Sequence, residues 1–337
     1  MKRHKICKII LAILAVFLCV AFYELIGICI TYKKQPAVSD ATIKETQNIM
    51  SVAGRENTER AVIIEKNSQA LLERVRLIQN AKDEIILSTF AFKSDESGKL
   101  ILGALHDAAD RGVHVRILVD GMESWIDMEG NPYFYGLSSH ENVEIKLYNK
   151  ANPLKPWKTM GRMHDKYLIA DGKIYILGGR NTYNYFLGDF PGHKNFDRDV
   201  LVVCDEPQKD NSVNQLWNYF ETIWEQEDCR YFHNSKKLAD RQSVKKAVLE
   251  LQKGYQQYFE VNKEKICDTD YADETFETEK ITLLSNPIHT QAKEPVVWYQ
   301  LGELMKNAKE RVKIHTPYII CNDMMYNTWE EIAQKVP

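Results

Sequence analysis

Apolar and polar positions give the chain three different textures. Residues 6–30, ICKIILAILAVFLCVAFYELIGICI, are apolar almost throughout. A run of that length can cross a bilayer, which takes ~20 apolar residues. Lys2, Arg3, Lys5 and Lys8 precede it, and Lys33 and Lys34 follow. No small-residue cleavage site closes the run, so an uncleaved anchor is predicted rather than a signal peptide. Leu18 before Cys19 does not suit a lipid-attachment site. Glu24 lies near the C-terminal end of the run and can reach the interface. The Lys/Arg excess ahead of the span places the N-terminus in the cytoplasm and the rest outside. A buried helix of a soluble core is the other reading of such a run. Residues 31–60 then turn polar and lose apolar periodicity, as a membrane-proximal linker with room for a short helix.

From residue 61 the pattern alternates between helical and strand periods. Leu71, Leu72, Val75 and Ile78 mark one face of a helix over 69–80, with Asn67 and Ser68 as candidate caps. A strand follows at 84–92, an amphipathic helix at 99–111 stopped by Gly112, and strands at 113–120 and 143–149. Two further helices are predicted over 211–227 and 243–261. Leu216, Phe220 and Trp224 recur at i, i+4, i+8 in the first, the spacing of a core stripe. Helix and strand in alternation predict a layered α/β domain over 61–266.

The segment NAKDEIILSTFAF (80–92) recurs as NAKERVKIHTPYI (307–319), with four of thirteen positions identical at an offset of 227 residues. Both copies follow an amphipathic helix and both read as a strand; another helix is predicted over 326–335. Residues 267–279 between them hold six acidic side chains, a candidate surface linker. Residues 280–337 thus read as the opening of a second, incomplete unit.

Composition narrows the possibilities. The net charge is −3, without the basic excess of a nucleic-acid protein. Seven cysteines in no paired spacing give neither a disulfide framework nor a zinc site. The 44% apolar share excludes a disordered chain.

The chemistry concentrates in residues 164–181, HDKYLIADGKIYILGGRN. Two short apolar strands meet at Asp171-Gly172, a hairpin signal. His164 and Lys166, two apart, leave one face of the incoming strand. Gly178 and Gly179 let the backbone bend closely around a bound group before Asn181. An imidazole, an ammonium and an amide converging on one spot suit a phosphodiester: histidine can attack phosphorus while the other two hold anionic oxygens. A structural hairpin with a satisfied histidine is the bland alternative.

This pattern, HxKxxxxDxxxxxxGGxN, resembles the signature of the phospholipase D superfamily. The wider stretch GRMHDKYLIADGKIYILGGRNTYNYF, followed by NFDRDVLVV, is similar to bacterial cardiolipin synthases, particularly their C-type branch. The resemblance covers 61–204 well and the repeat opening at 312–322 weakly. It implies a layered α-β-α fold around a mixed sheet. It also implies that His164 is the phosphoryl nucleophile or its general-acid partner, that Lys166 and Asn181 bind phosphate oxygens, and that Asp171 is structural. Asp197 is the first candidate for the acid that orients the histidine, and Asp199 the second. Arg162, with Lys155, Trp157 and Lys158, could meet a lipid headgroup; a solvated loop is the other reading. No cofactor or metal is implied.

Only one such motif is present. The offset of the repeat puts the missing histidine near position 391, so a partial protein is expected, with the second half supplied by a longer chain or a homodimer partner. Three readings compete: a membrane-anchored phosphatidyltransferase acting on a phosphatidylglycerol-like phospholipid, a single-motif phosphodiesterase or nuclease working as a homodimer, and a non-catalytic lipid-phosphate-binding protein. The 337-residue chain alone is expected to turn over little.

Overall fold

The computed structural model describes residues 2–51, 58–316 and 318–336. The chain divides into two compact units. The smaller comprises Met1–Arg55, Leu154–Gly161 and Thr282–Pro337, the larger Glu56–Pro153 and Arg162–Ile281.

The smaller unit opens with α1 (Lys2–Tyr32) and α2 (Asp40–Ser51). The Glu294 carboxylate accepts from the Ser39 N–H (2.8 Å) and the Thr42 hydroxyl (2.6 Å) at the start of α2. That carboxylate beside the first turn is what nucleates a helix in a polar stretch.

The larger unit runs β1 (Glu59–Ile64), α3 (Asn67–Asn80), β2 (Glu84–Thr89), α4 (Glu96–Asp110), β3 (His114–Asp120), α5 (Gly121–Asp127), α6 (Pro132–Ser138) and β4 (Val143–Tyr148). It continues through β5 (Lys166–Ala170), β6 (Ile174–Gly178), β7 (Asp199–Cys204), α7 (Ser212–Trp224), β8 (Cys229–Tyr231), α8 (Gln242–Ile266) and β9 (Phe276–Glu277). Among the described residues one sheet holds nine strands in the order β8-β4-β3-β2-β5-β6-β7-β1-β9. Only β2–β3 and β3–β4 pair in parallel, joined by helical crossovers; the remaining pairs are antiparallel. The sheet is mixed, as the family resemblance implied.

Register puts one apolar side chain from seven strands in a row: Ile145, Ile117, Leu87, Leu168, Ile176, Leu201 and Val62. That face packs against α3, α4, α6 and α8, and each fully buried aliphatic side chain contributes roughly 1.5–3 kcal/mol. On the other face lies α7. Its Trp217 indole donates to Glu84 (3.2 Å), and its Glu221 pairs with Arg116 of β3 (2.5 Å). The result is three layers.

Several elements depart from the sequence expectation. Helix α3 begins at Asn67 itself, with Lys66 before it and no side-chain cap. The Asn67 amide is used elsewhere: its oxygen accepts from Arg180 (3.1 Å) and its nitrogen donates to the Asn195 carbonyl (2.8 Å). The acidic run 267–279 is folded onto the domain rather than looping freely. Arg76, nearly fully buried on α3, draws Glu274 (2.9 Å) and Asp268 (3.8 Å) to it, and its guanidinium lies over the Tyr271 ring. A buried guanidinium needs such counter-charge.

The smaller unit closes with α9 (Val296–Lys306) and α10 (Asp323–Lys335), which pack on each other through Trp298 and Trp329. The strand expected over 312–319 does not form among the described residues. Among the described residues no other strand lies in this unit to complete a ladder, and a lone strand leaves its backbone groups unpaired.

Candidate functional site

The sheet topology gathers the motif at one edge. The C-terminal ends of β2, β3, β4 and β6 and the N-terminal ends of β5 and β7 all finish on the same side, because β5 and β7 run antiparallel to β2 and β6. The hairpin between β5 and β6 turns at Asp171 and Gly172, both at positive φ (52° and 61°), with Lys173 as an extra residue before Ile174. Asp171 lies at the opposite edge from His164. Its carboxylate accepts the backbone N–H groups of Lys82 (2.9 Å), Asp83 (2.9 Å) and Glu84 (3.0 Å). Three such bonds hold the turn into β2, which positions β2 against β5.

His164 precedes β5. Its ring is partly open to solvent and meets Phe90 edge to face, with centroids 4.5 Å apart. Partial burial, then the nearby Lys166 ammonium, push its pKa below the ordinary histidine value; Asp120 opposes this only in part. The ring is therefore held neutral at neutral pH, the state a nucleophile requires. Among the described residues neither ring nitrogen has a hydrogen-bond partner.

Lys166 is buried opposite Thr89 of β2. Its ammonium donates to the His164 carbonyl (2.6 Å), tying the two residues together. Burial lowers its pKa to about 8, with Asp165 and Asp197 pulling the other way. Asn181, buried past the end of β6, accepts the Ala91 N–H through its side-chain oxygen (3.1 Å). That bond fixes the amide orientation and leaves the NH₂ to donate elsewhere.

The glycine pair has a packing reason. A Cβ on Gly178 would lie 2.0 Å from the Asp199 Oδ1, and one on Gly179 would lie 2.1 Å from the Asp197 Oδ2. Only residues without Cβ let both carboxylates approach the backbone so closely.

The two aspartates differ in surroundings. Asp199 is fully buried between Arg74 (3.0 Å) and Arg180 (3.2 Å). Arg180 also donates to the carbonyls of Ile64 (3.2 Å), Glu65 (2.7 Å) and Asp197. Asp199 is thus committed to a buried ion cluster that binds β1, α3 and β7 together, and no open side of it faces a substrate. Asp197 is half-exposed and accepts the Arg198 N–H (2.8 Å), and its charge reaches Lys166. It makes no hydrogen bond with His164 in this structure.

Arg162 pairs with Asp120 (2.6 Å) and Glu123 (3.2 Å), and its guanidinium lies over the Phe90 ring. Asp120, almost wholly buried, also accepts the Met163 N–H (3.1 Å) and caps α5. The sequence reading missed Asp120, Phe90, Arg74 and Arg180. Arg180 stands inside the motif itself, and Asp120 ends a strand beside Gly121; both positions were signals. Among the described residues no group of three or more His, Cys, Asp or Glu side chains stands together as a metal ion would need.

Residues 75–224 match the family model described as cardiolipin synthase, phospholipase D-like domain. An uncharacterized protein of Helicobacter pylori (strain ATCC 700392 / 26695) is 27% identical over 307 residues, 83% of this chain and 58% of that protein. Cardiolipin synthase C of Escherichia coli (strain K12) is 29% identical over 154 residues, 42% of this chain and 31% of that enzyme. The chain therefore spans less than two thirds of either relative's length. NucT from Helicobacter pylori is a solved structure similar at TM-score 0.40 and 17% identity, over 52% of this chain and 99% of NucT. Residues 75–224, which carry the His-x-Lys motif at the sheet edge, thus match a phospholipase D-like domain, and the chain is similar to cardiolipin synthases at modest identity.

Proposed function

We propose that this protein is a membrane-anchored phosphatidyltransferase of the phospholipase D type, acting on a phosphatidylglycerol-like phospholipid through a phosphohistidine intermediate. The observation that carries the reading is His164 joined through its carbonyl to the buried Lys166 ammonium, with the Asn181 amide oriented by Ala91 on the same motif. A ring nitrogen of His164 attacks phosphorus, and the bond from phosphorus to the headgroup alcohol breaks. Lys166 and the Asn181 NH₂ hold the non-bridging oxygens as charge develops on them. The leaving oxygen takes its proton from a second, protonated histidine, since one ring cannot be neutral nucleophile and acid at once. That histidine would come from a second motif in a longer chain or from a partner copy. The acceptor hydroxyl then attacks phosphorus, returns its proton to the second histidine and frees His164. With phosphatidylglycerol as donor and acceptor, the products are cardiolipin and glycerol.

Lipid is favoured over nucleic acid by what surrounds the sheet edge. Trp125 and Ile126 on α5, after β3, and Phe196, before β7, are large exposed apolar side chains at the end where His164 lies. The helix α1 is long and apolar enough to cross a membrane. We read it as a single-pass anchor with the globular part outside the cytoplasm.

The test is to incubate the full chain with radiolabelled phosphatidylglycerol, trap acid-labile label on protein and assay cardiolipin. His164→Ala should abolish the label and, in a preparation that also supplies the second histidine, lower transfer by roughly 10³-fold or more. Transfer that survives His164→Ala, or turnover of single-stranded DNA without lipid turnover, would overturn the proposal.

A further inference from the structure

The helix α1 has two parts. From His4 to Tyr23 every residue is exposed. From Glu24 onward, Glu24, Gly27, Ile28, Thr31 and Tyr32 are half-buried. Their spacing, i, i+3, i+4, i+7, i+8, is one helical face. Leu154–Gly161 and Thr290 cover it. A Cβ on Gly27 would lie 2.5 Å from the Pro156 Cγ, so this glycine admits the proline against the helix. The Tyr23 hydroxyl donates to the Leu154 carbonyl (3.2 Å), and Thr159 donates to the Glu24 carboxylate (3.4 Å). Tyr32 donates to the Thr290 carbonyl (2.7 Å). A Cβ on Gly161 would lie 2.6 Å from the Thr290 Cα, closing the wrap.

The bare part has the dimension of a hydrocarbon layer. Residues 6–23 extend about 27 Å at 1.5 Å per residue, close to the ~30 Å core of a bilayer. Glu24, the one acidic residue of the helix, falls just beyond it and is hydrogen-bonded to protein.

We infer that the hydrocarbon layer ends near Tyr23, and that Leu154–Gly161 is a clasp that grips the emerging helix and inserts into the headgroup layer of the bilayer. The clasp turns outward Leu154 (77% exposed), Met160 (56%) and Trp157 (38%), with the exposed Lys155 beside them. Apolar tips at the acyl boundary, a tryptophan at headgroup level and a lysine toward anionic lipid form an interfacial surface. In sequence, only Arg162 and Met163 separate the clasp from His164. The inference rests on reading α1 as a membrane span, and not on catalysis.

The test is lipid photocapture by the full chain in vesicles of phosphatidylcholine and phosphatidylglycerol. A photoreactive benzoyl-phenylalanine replaces Phe17, Trp157, Met160 or the exposed Val261, one at a time. Lipid adducts are expected at 17, 157 and 160 but not at 261. Adducts at 17 with none at 157 and 160 would overturn the clasp while leaving the anchor. Absence at all positions would overturn both. With the probe at 157, Gly27→Leu should lower the adduct yield at least five-fold; with the probe at 17 it should not. An unchanged yield at 157 would show that the Gly27–Pro156 contact does not seat the clasp. None of these readings depends on turnover, so the proposed activity stands or falls separately.

Discussion

Replacing Lys166 by methionine should destroy phosphate binding and stabilise the fold. Burial lowers the amine from 10.5 to about 8, so in the folded protein the ammonium is disfavoured. At roughly 1.4 kcal/mol per pH unit, holding it protonated costs about 3 kcal/mol. The unfolded chain binds more protons than the folded one between these two values. That cost is therefore fully present below about pH 8 and is relieved as pH rises toward 10.5. Methionine keeps the apolar stem and drops the charge. It also forfeits the 2.6 Å bond to the His164 carbonyl, worth about 1 kcal/mol. The net gain is about 2 kcal/mol near neutral pH, or a rise in melting temperature of about 4–8 °C for a unit of this size. The assay is thermal unfolding of wild type and Lys166→Met in detergent, at about pH 7 and about pH 10.5, with and without inorganic phosphate. The gap should close at the higher pH, and phosphate should raise the melting temperature of wild type alone. A variant that melts at or below wild type at about pH 7, or a gap indifferent to pH, would refute the reasoning.

Three further outcomes are expected. Asp199→Ala leaves the Arg74 and Arg180 guanidiniums buried without their carboxylate and should cost about 3–5 kcal/mol in thermal or chemical unfolding; a change under about 1 kcal/mol would count against a structural role. Gly179→Ala puts a methyl against the Asp197 carboxylate and should lower turnover about 10²-fold through misplacement, with melting shifted far less than for Asp199→Ala. The pH dependence of kcat/KM should have an acid limb below 6.5 from His164 and an alkaline limb near 8 from Lys166. Lys166→Arg should move only the alkaline limb upward, and an unmoved limb would assign it to another group.

Much of the sheet was legible because its strands carry their own period and its hairpin its own turn residues. The motif strand, the Asp171-Gly172 turn and the helix over 211–227 read directly from local pattern. What was not legible came from distant partners. β1 is a short segment whose strand character depends on pairing with Asp199–Cys204. Asn67 reads as a cap, yet Arg180, 113 positions away, takes its side chain. Asp197 and Asp199 look alike in sequence; what separates them is Arg74, on a helix that sequence spacing cannot bring near. The strand expected over 312–319 had the right residues and no ladder to join.

The pairing of β1 also orders assembly in time. β2, β3 and β4 pair through local crossovers, and β5 with β6 through a three-residue loop, so this half can form early. β1 waits for residues 199–204 and then 276–277. At ribosomal speeds of roughly 5–20 residues per second, the first of these arrives about 7–27 s after β1 has been made. Its long sequence separation makes that closure the step expected to be slow. Asp199 and Arg180 lock β1 and α3 against β7 only when it occurs. The edge that carries the motif is therefore completed only when β7 closes onto β1.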